Sequence, residues 1–310
     1  MQHAGDVLEL SVRFARASPF QLRDDHIFRR RQSEPHSLNF MCFASFEFVD
    51  AKLAILPNNE VDLPAILDDA ELQRSHVIPE FFYEYDELHR VLTIEGRRER
   101  PRLDQKGTRF PLLCFDCEQF VNDTFEKPMR EMWVARQALP SPLIGDAVHI
   151  SGLDYAKFKL FHLSVLWRAL AAGYRDEMQD IQNEAEHLRA MLLNQDPGRA
   201  VEYPVVMAPL RLAKTGQPAS GTIMLPQPSI IREQLVYCSV FGGCQWFYVI
   251  SRTGLPERDL QEWALSEKGT LIGIVRDLRA VEEIDALLSK YERNAREQNW
   301  PNPWRRKRGG

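Results

Sequence analysis

The chain of 310 residues carries 39 basic and 44 acidic side chains, a net charge of −5 near neutral pH. With 44% hydrophobic and 27% charged residues it has the composition of an ordinary globular protein, and it is long enough for two domains. The balance excludes a protein coated all over in basic charge, although a local basic face remains compatible with nucleic-acid binding. Its apolar runs are shorter than the roughly 18–20 residues that cross a bilayer, and the first residues lack the layout of a signal peptide. The sequence therefore predicts a cytoplasmic protein with no membrane partner.

Changes in composition along the chain predict its organisation. Residues 1–60 show no clean hydrophobic period and are predicted to form an N-terminal extension. A first domain is predicted over residues 61–140, and the segment ALPSPLIGD at its end has the Pro and Gly content of a boundary. A mixed helix and sheet domain is predicted over residues 150–310. The predicted fold class is α+β.

The second predicted domain opens with helices and continues with strands. Asp154 is predicted to cap a buried helix that runs to about Tyr174. A second helix is predicted from about Met178 to Leu193. From Tyr203 to Ile250 the sequence predicts strands, with a turn or bulge at the pair of glycines 242 and 243.

Cys114 and Cys117 form a C-x-x-C at the predicted start of a helix, near Cys117. Five cysteines, an odd number in a chain this long, do not predict a disulfide scaffold. In a reducing compartment a C-x-x-C is typical of a metal site or a redox pair. Cys238 and Cys244 lie in apolar segments and are predicted to act as small hydrophobic residues.

The region before the cysteines completes a recognisable layout. An apolar strand ends in His76, an Ile-Pro turn follows, and a hairpin-length excursion leads to the C-x-x-C and its helix. Together with SGLDYAKFKLFHLSVLWRA and an FGG-x-x-W core, this layout resembles a bacterial group of HNH-like endonuclease-fold proteins, over about Leu72 to Ile250. The resemblance implies a ββα-metal, treble-clef-like domain at 61–140. It also implies hydrolysis of DNA phosphodiester bonds, in a setting such as anti-phage defence.

The resemblance also implies roles for four side chains. His76 would be the general base or the first metal ligand, because a neutral imidazole accepts a proton near neutral pH. Glu118 would hold a divalent cation, Mg²⁺ or Mn²⁺, from the helix. Asn122 and Glu126 follow at i+4 and i+8, on the same predicted helix face, and are the next candidates for this cation.

A basic stretch lies between His76 and Cys114. In the sequence EGRRERPRLDQKGTR the residues predicted to contact the DNA backbone are Arg97, Arg98, Arg100 and Arg102. DNA is the partner that the resemblance implies.

Two positions depart from the family pattern. HNH proteins usually carry an acid before the histidine, where this chain has Ser75. The first C-x-x-C of the group would fall near Leu63 and Ile66, where no thiol exists. Cys114 and Cys117 would therefore supply only two of the four ligands of a structural Zn²⁺ site.

Four interpretations of the missing half stay open. Cys42 could join the two cysteines, with Asp62, Asp68 or His36 completing a mixed site. Two chains could share one metal. The site could have decayed into apolar packing, or the two cysteines could be plain core thiols. A decayed or rebuilt site is the interpretation that the sequence favours, because lost zinc must be compensated by other contacts.

Three functional hypotheses follow. The first is an HNH-type endonuclease that acts on DNA. The second is a catalytically decayed relative that keeps the fold as a nucleic-acid or protein-binding module. The third is an interaction subunit that forms a homodimer or binds a partner protein through residues 1–60.

Overall fold

The computed structural model describes residues 72–85, 89–94, 102–172, 179–231, 234–252, 261–281 and 284–285, with the single residues 289 and 293. The predicted N-terminal extension, with Cys42, Asp62, Asp68 and His36, lies outside the described residues, as do Arg97, Arg98 and Arg100. Among the described helices, none combines the length and the apolar character that a membrane span requires.

The first described strands divide between two sheets. Strand β1 is Gln73–His76, β2 is Val91–Ile94, β3 is Arg102–Asp104 and β4 is Arg109–Leu113, and a 3-10 turn covers Glu80–Phe82. Strands β1 and β4 pair antiparallel as a small two-stranded sheet. Strands β2 and β3 pair antiparallel with each other, and β2 then runs parallel to a strand of the larger sheet. The excursion between β1 and β4 therefore joins a second sheet.

A continuous helical segment, here called α1, follows β4. It is α-helical over Phe115–Val121, π-helical over Asn122–Glu126, α-helical over Lys127–Met129 and π-helical over Arg130–Ala135. Cys114 is extended and precedes the first turn, which carries two acids, as the positive end of a helix favours. The helix predicted near Cys117 is confirmed and begins two residues earlier.

Two longer helices come next in the chain. After β5, Ala147–Ile150, come α2, Tyr155–Ala171, and α3, Gln179–Leu193. The carboxylate of Asp154 accepts a hydrogen bond from the Lys157 backbone N–H at 3.1 Å, so the predicted cap is confirmed. Side chains on nearly every face of α2 are buried, as predicted for this segment.

The remaining strands build the larger sheet. They are β6 (Val205–Arg211), β7 (Thr222–Ile231), β8 (Gln234–Phe241), β9 (Cys244–Val249), β10 (Leu271–Ile274) and β11 (Arg276–Asp277). Among the described strands the order is β3-β2-β7-β8-β9-β6-β10-β5, with β11 beside β6. Gly242 and Gly243 turn the chain from β8 to β9 with φ of +59° and +78°, which confirms the predicted turn.

The core joins the small sheet, α2 and the larger sheet. Phe82 from the turn after β1, Phe161 from α2 and Phe241 from β8 have ring centroids 4.9–6.2 Å apart. His162 is fully buried in the same region, with its Nδ1 3.2 Å from the Tyr248 hydroxyl. The observed class is α+β. The predicted domain boundary between residues 140 and 150 stays a prediction. Strands β2 and β3, which precede it in the chain, belong to the larger sheet together with strands that follow it.

Candidate functional site

One cleft gathers four of the side chains singled out in the sequence. It has a volume of about 670 Å³ and lies between β1, the turn after it, β4 and the first half of α1. Its walls include His76, Glu118, Asn122 and Glu126. Glu118 and Glu126 follow His76 by 42 and 50 residues in the chain. They reach the same cleft because α1 packs beside the strand that ends in His76.

The backbone around β1 and β4 orients His76. Its Nε2 lies 2.8 Å from the carbonyl oxygen of Lys106, and its ring packs edge-on against Tyr83 at 5.6 Å. A carbonyl oxygen can only accept, so Nε2 carries the proton of this hydrogen bond. In the neutral ring Nδ1 then keeps its lone pair, which can take a proton from water or bind a cation.

Glu118 is held by the residue that departs from the HNH pattern. The Ser75 hydroxyl donates a hydrogen bond to Oε2 of Glu118. Ser75 is only 1% exposed, so this carboxylate oxygen has a buried donor beside it. Ser75 therefore orients the Glu118 carboxylate. An acid at this position would instead be a metal ligand itself.

Glu126 is paired with a buried arginine of α2. Nη1 of Arg168 donates to Oε1 of Glu126 at 2.7 Å and to the carbonyl oxygen of His76 at 2.8 Å. The Arg168 side chain is 1% exposed and also donates to the carbonyl oxygen and hydroxyl of Ser164. The Arg168 guanidinium thus connects α2 to the backbone of His76 and to the side chain of Glu126.

Arg168 was missed by the sequence reasoning, although a signal exists. It is a charged residue inside the apolar segment LFHLSVLWRAL, and a buried charge requires a partner. Its pairing changes the expectation for Glu126, whose charge is compensated by Arg168. Of the two glutamates Glu118 and Glu126, only Glu118 has no cationic partner within the described part of the chain.

Glu118 and Asn122 both line the cleft and carry oxygen donors, the type of ligand that a divalent cation such as Mg²⁺ takes. Such a cation typically takes one or two carboxylates from the protein and completes its shell with water and substrate phosphate. Across the described ranges, no group of three or more His, Cys, Asp or Glu side chains is arranged to hold a metal. Substrate and water would therefore supply most of the ligands.

The two cysteines are not among the residues that line this cleft. Cys117 is fully buried in the hydrophobic core, and Cys114 is half-buried at the start of α1. Burial raises the pKa of the Cys117 thiol, and its hydrogen bond with Cys114 adds to this effect. A tetrahedral zinc site needs four ligands, and among the described residues no third His, Cys, Asp or Glu joins these two thiols in a group that could hold a metal. The predicted completion through Cys42 lies outside the described residues.

The basic lining of the cleft comes from strands. Arg74 in β1 and Arg109 in β4 both line it, and Arg109 stands opposite His76 in the β1–β4 register. Neither arginine has an ion-pair partner among the residues that the structure describes. Arg102 begins β3, and the contacts of its side chain lie outside what the structure describes, as do Arg97, Arg98 and Arg100.

Comparison with known proteins identifies no relative of this chain. No protein-family model, no curated protein and no solved structure matches the chain. The functional argument therefore depends on the cleft itself.

Proposed function

We propose that the protein is a metal-dependent endonuclease of the HNH type that hydrolyses phosphodiester bonds in DNA. The observation that carries the proposal is the setting of His76. Its Nε2 is engaged by the Lys106 carbonyl, no described residue hydrogen-bonds its Nδ1, and His76 lines the same cleft as Glu118 and Asn122.

The proposed chemistry assigns each step to a side chain. Nδ1 of His76 takes a proton from the attacking water as its oxygen bonds to phosphorus. Arg74 and Arg109 hold the phosphate by charge-assisted hydrogen bonds. A divalent cation bound through Glu118 and Asn122 would supply neutralisation of the charge on the phosphate and on the leaving oxygen. The P–O bond to the leaving oxygen then breaks, and that oxygen is protonated from solvent.

Supporting contacts explain how these groups would stay in position. Ser75 holds one oxygen of Glu118, and Arg168 holds the backbone at His76. Preorganised groups raise the rate because they need no rearrangement as charge develops. The cytoplasm remains the proposed location, and anti-phage defence the proposed setting, on the sequence arguments alone.

Plasmid cleavage tests the proposal. Supercoiled DNA is incubated with the full chain and either EDTA, Mg²⁺ or Mn²⁺, beside His76→Ala and His149→Ala proteins purified identically. We expect cation-dependent cleavage that falls by about 10²–10⁴-fold in His76→Ala, the usual contribution of a general base. The control His149 lies exposed on β5, so its substitution leaves the rate unchanged. Cleavage that survives in His76→Ala would reject this histidine as the base.

A second candidate is a decayed relative that binds nucleic acid without cutting it. It is favoured by the hydrogen bond that commits Ser75 to Glu118 and by the pairing of Glu126 with Arg168. DNA binding by wild-type protein with no cleavage in either cation would support this module and reject the nuclease.

A further inference from the structure

An exposed aromatic ring stands at the wall of the cleft. Phe115, the first residue of α1, is 61% exposed and is the one aromatic residue among the large hydrophobic side chains that the described structure leaves exposed. Phe81, on the same cleft, instead packs against Phe82 with ring centroids 4.5 Å apart. The Phe115 ring makes no such ring contact within the described residues. Apolar area left in water on this ring is available to a ligand.

Cationic groups share the cleft with this ring. Arg74 and Arg109 line the same walls and have no carboxylate partner in the described part of the chain. An anion beside a flat apolar surface is the chemistry of a nucleotide, with phosphate on the arginines and the base on the ring. The volume of about 670 Å³ lies within the range of about 300–1,000 Å³ that small-ligand pockets have, so it suits a nucleotide.

Stacking on Phe115 sets a condition on the nucleic acid. Inside a duplex both faces of a base are covered by its neighbours, so a protein ring must first unstack or extrude a base, which costs a few kcal/mol, whereas an unpaired base offers its face without this cost. We infer that Phe115 forms a base-stacking subsite and that the cleft takes a single-stranded segment of DNA. This inference rests on the proposed function only in assuming that the cleft binds nucleic acid.

Binding without cleavage tests the subsite separately from the chemistry. Fluorescence anisotropy in EDTA compares a labelled single-stranded oligonucleotide with a duplex of equal length. The proteins are wild type, Phe115→Ala, Phe115→Trp and Val134→Ala, and circular dichroism checks that each is folded. Val134 is a matched control because it is 41% exposed on α1 and does not line the cleft.

We expect wild type to bind the single strand more tightly than the duplex. Phe115→Ala should weaken single-strand binding by about 5- to 150-fold, the effect of losing one stacked base. Phe115→Trp should retain binding, and Val134→Ala should match wild type.

An abasic scan identifies the contact itself. An oligonucleotide that lacks the stacked base should bind wild type more weakly, but it should bind Phe115→Ala no more weakly than the intact strand does. A stacking pair can be lost only once, so the two losses do not add.

Each outcome decides the inference. Equal binding by wild type and Phe115→Ala, or no oligonucleotide binding by wild type, overturns the subsite. A change of oligomeric state in Phe115→Ala with unchanged binding also overturns it and assigns Phe115 to a protein interface. Binding that depends on Phe115 without cleavage in any cation supports the subsite and rejects the nuclease. Cation-dependent cleavage by wild type, together with single-strand binding that is equal in wild type and Phe115→Ala, supports the nuclease and rejects the subsite.

Discussion

Arg168 gives the sharpest test of how the site is held. Replacing it with Met keeps an unbranched side chain of similar length and removes the guanidinium. Oε1 of Glu126 and the carbonyl oxygen of His76, at 2.7 and 2.8 Å, then lose a donor. Glu126 retains its charge in a setting where its side chain is 17% exposed.

The size of the effect follows from this burial. Breaking a buried ion pair by removing one partner costs about 3–5 kcal/mol, because the other charge stays uncompensated. Glu126 keeps some contact with water, so the lower end applies, and we expect Arg168→Met to lose about 3 kcal/mol. That is a large fraction of the roughly 5–15 kcal/mol by which proteins of this kind are stable. The control is Lys127→Met, whose pair with Asp123 is more than half exposed and contributes less than about 1 kcal/mol.

Urea denaturation at neutral pH measures these free energies, with the slope checked for two-state behaviour. The double variant Arg168→Met with Glu126→Leu should recover most of the loss, because no isolated charge remains. A loss in Arg168→Met no larger than that in Lys127→Met would refute the reasoning, as would additive effects in the double variant.

Three further predictions concern single positions. Ser75→Ala should lower the free energy of unfolding by about 1–3 kcal/mol, since it removes a hydrogen-bond donor to the Glu118 carboxylate. Ser75→Asp should lower it further, because it places a second carboxylate beside Glu118. Urea denaturation measures both changes. Gly242→Ala should lower the melting temperature more than Gly145→Ala, because φ is positive at both, while an added Cβ meets Phe82 at 2.7 Å only at the first. Burial lowers the pKa of Lys159 to about 8 from 10.5. The unfolded chain therefore binds more protons between pH 8 and 10.5, so stability relative to Lys159→Met should rise with pH across this window, and equal curves would exclude the shift.

Several features were accessible from local sequence. The start of α1, the cap at Asp154 and the turn at Gly242 each depend on a few adjacent residues, whose conformational preferences are strong. The row Glu118, Asn122, Glu126 was also predicted from helical spacing, and all three line the cleft despite the π turns.

Other features depend on contacts between distant segments. The donor to Glu118 is 43 residues away in the chain, and the partner of Glu126 is 42 residues away. The pairing of β2 with β7 likewise joins strands more than a hundred residues apart. Spacing within one segment carries no record of such partners, so Ser75 was read only as a departure and Arg168 was passed over.

The sequence by itself determined the α+β class and which helices and turns form, because periodicity and local backbone preferences act over short distances. It also named His76 and Glu118 as candidate site residues. Only the tertiary structure decided that Nε2 of His76 is engaged by the Lys106 carbonyl and that Ser75 and Arg168 hold the carboxylates of Glu118 and Glu126. It also decided that Phe115 stays exposed in a cleft whose two arginines have no ion-pair partner among the described residues. These are outcomes of packing α1 and α2 against β1, and burial there sets which polar groups must find a partner.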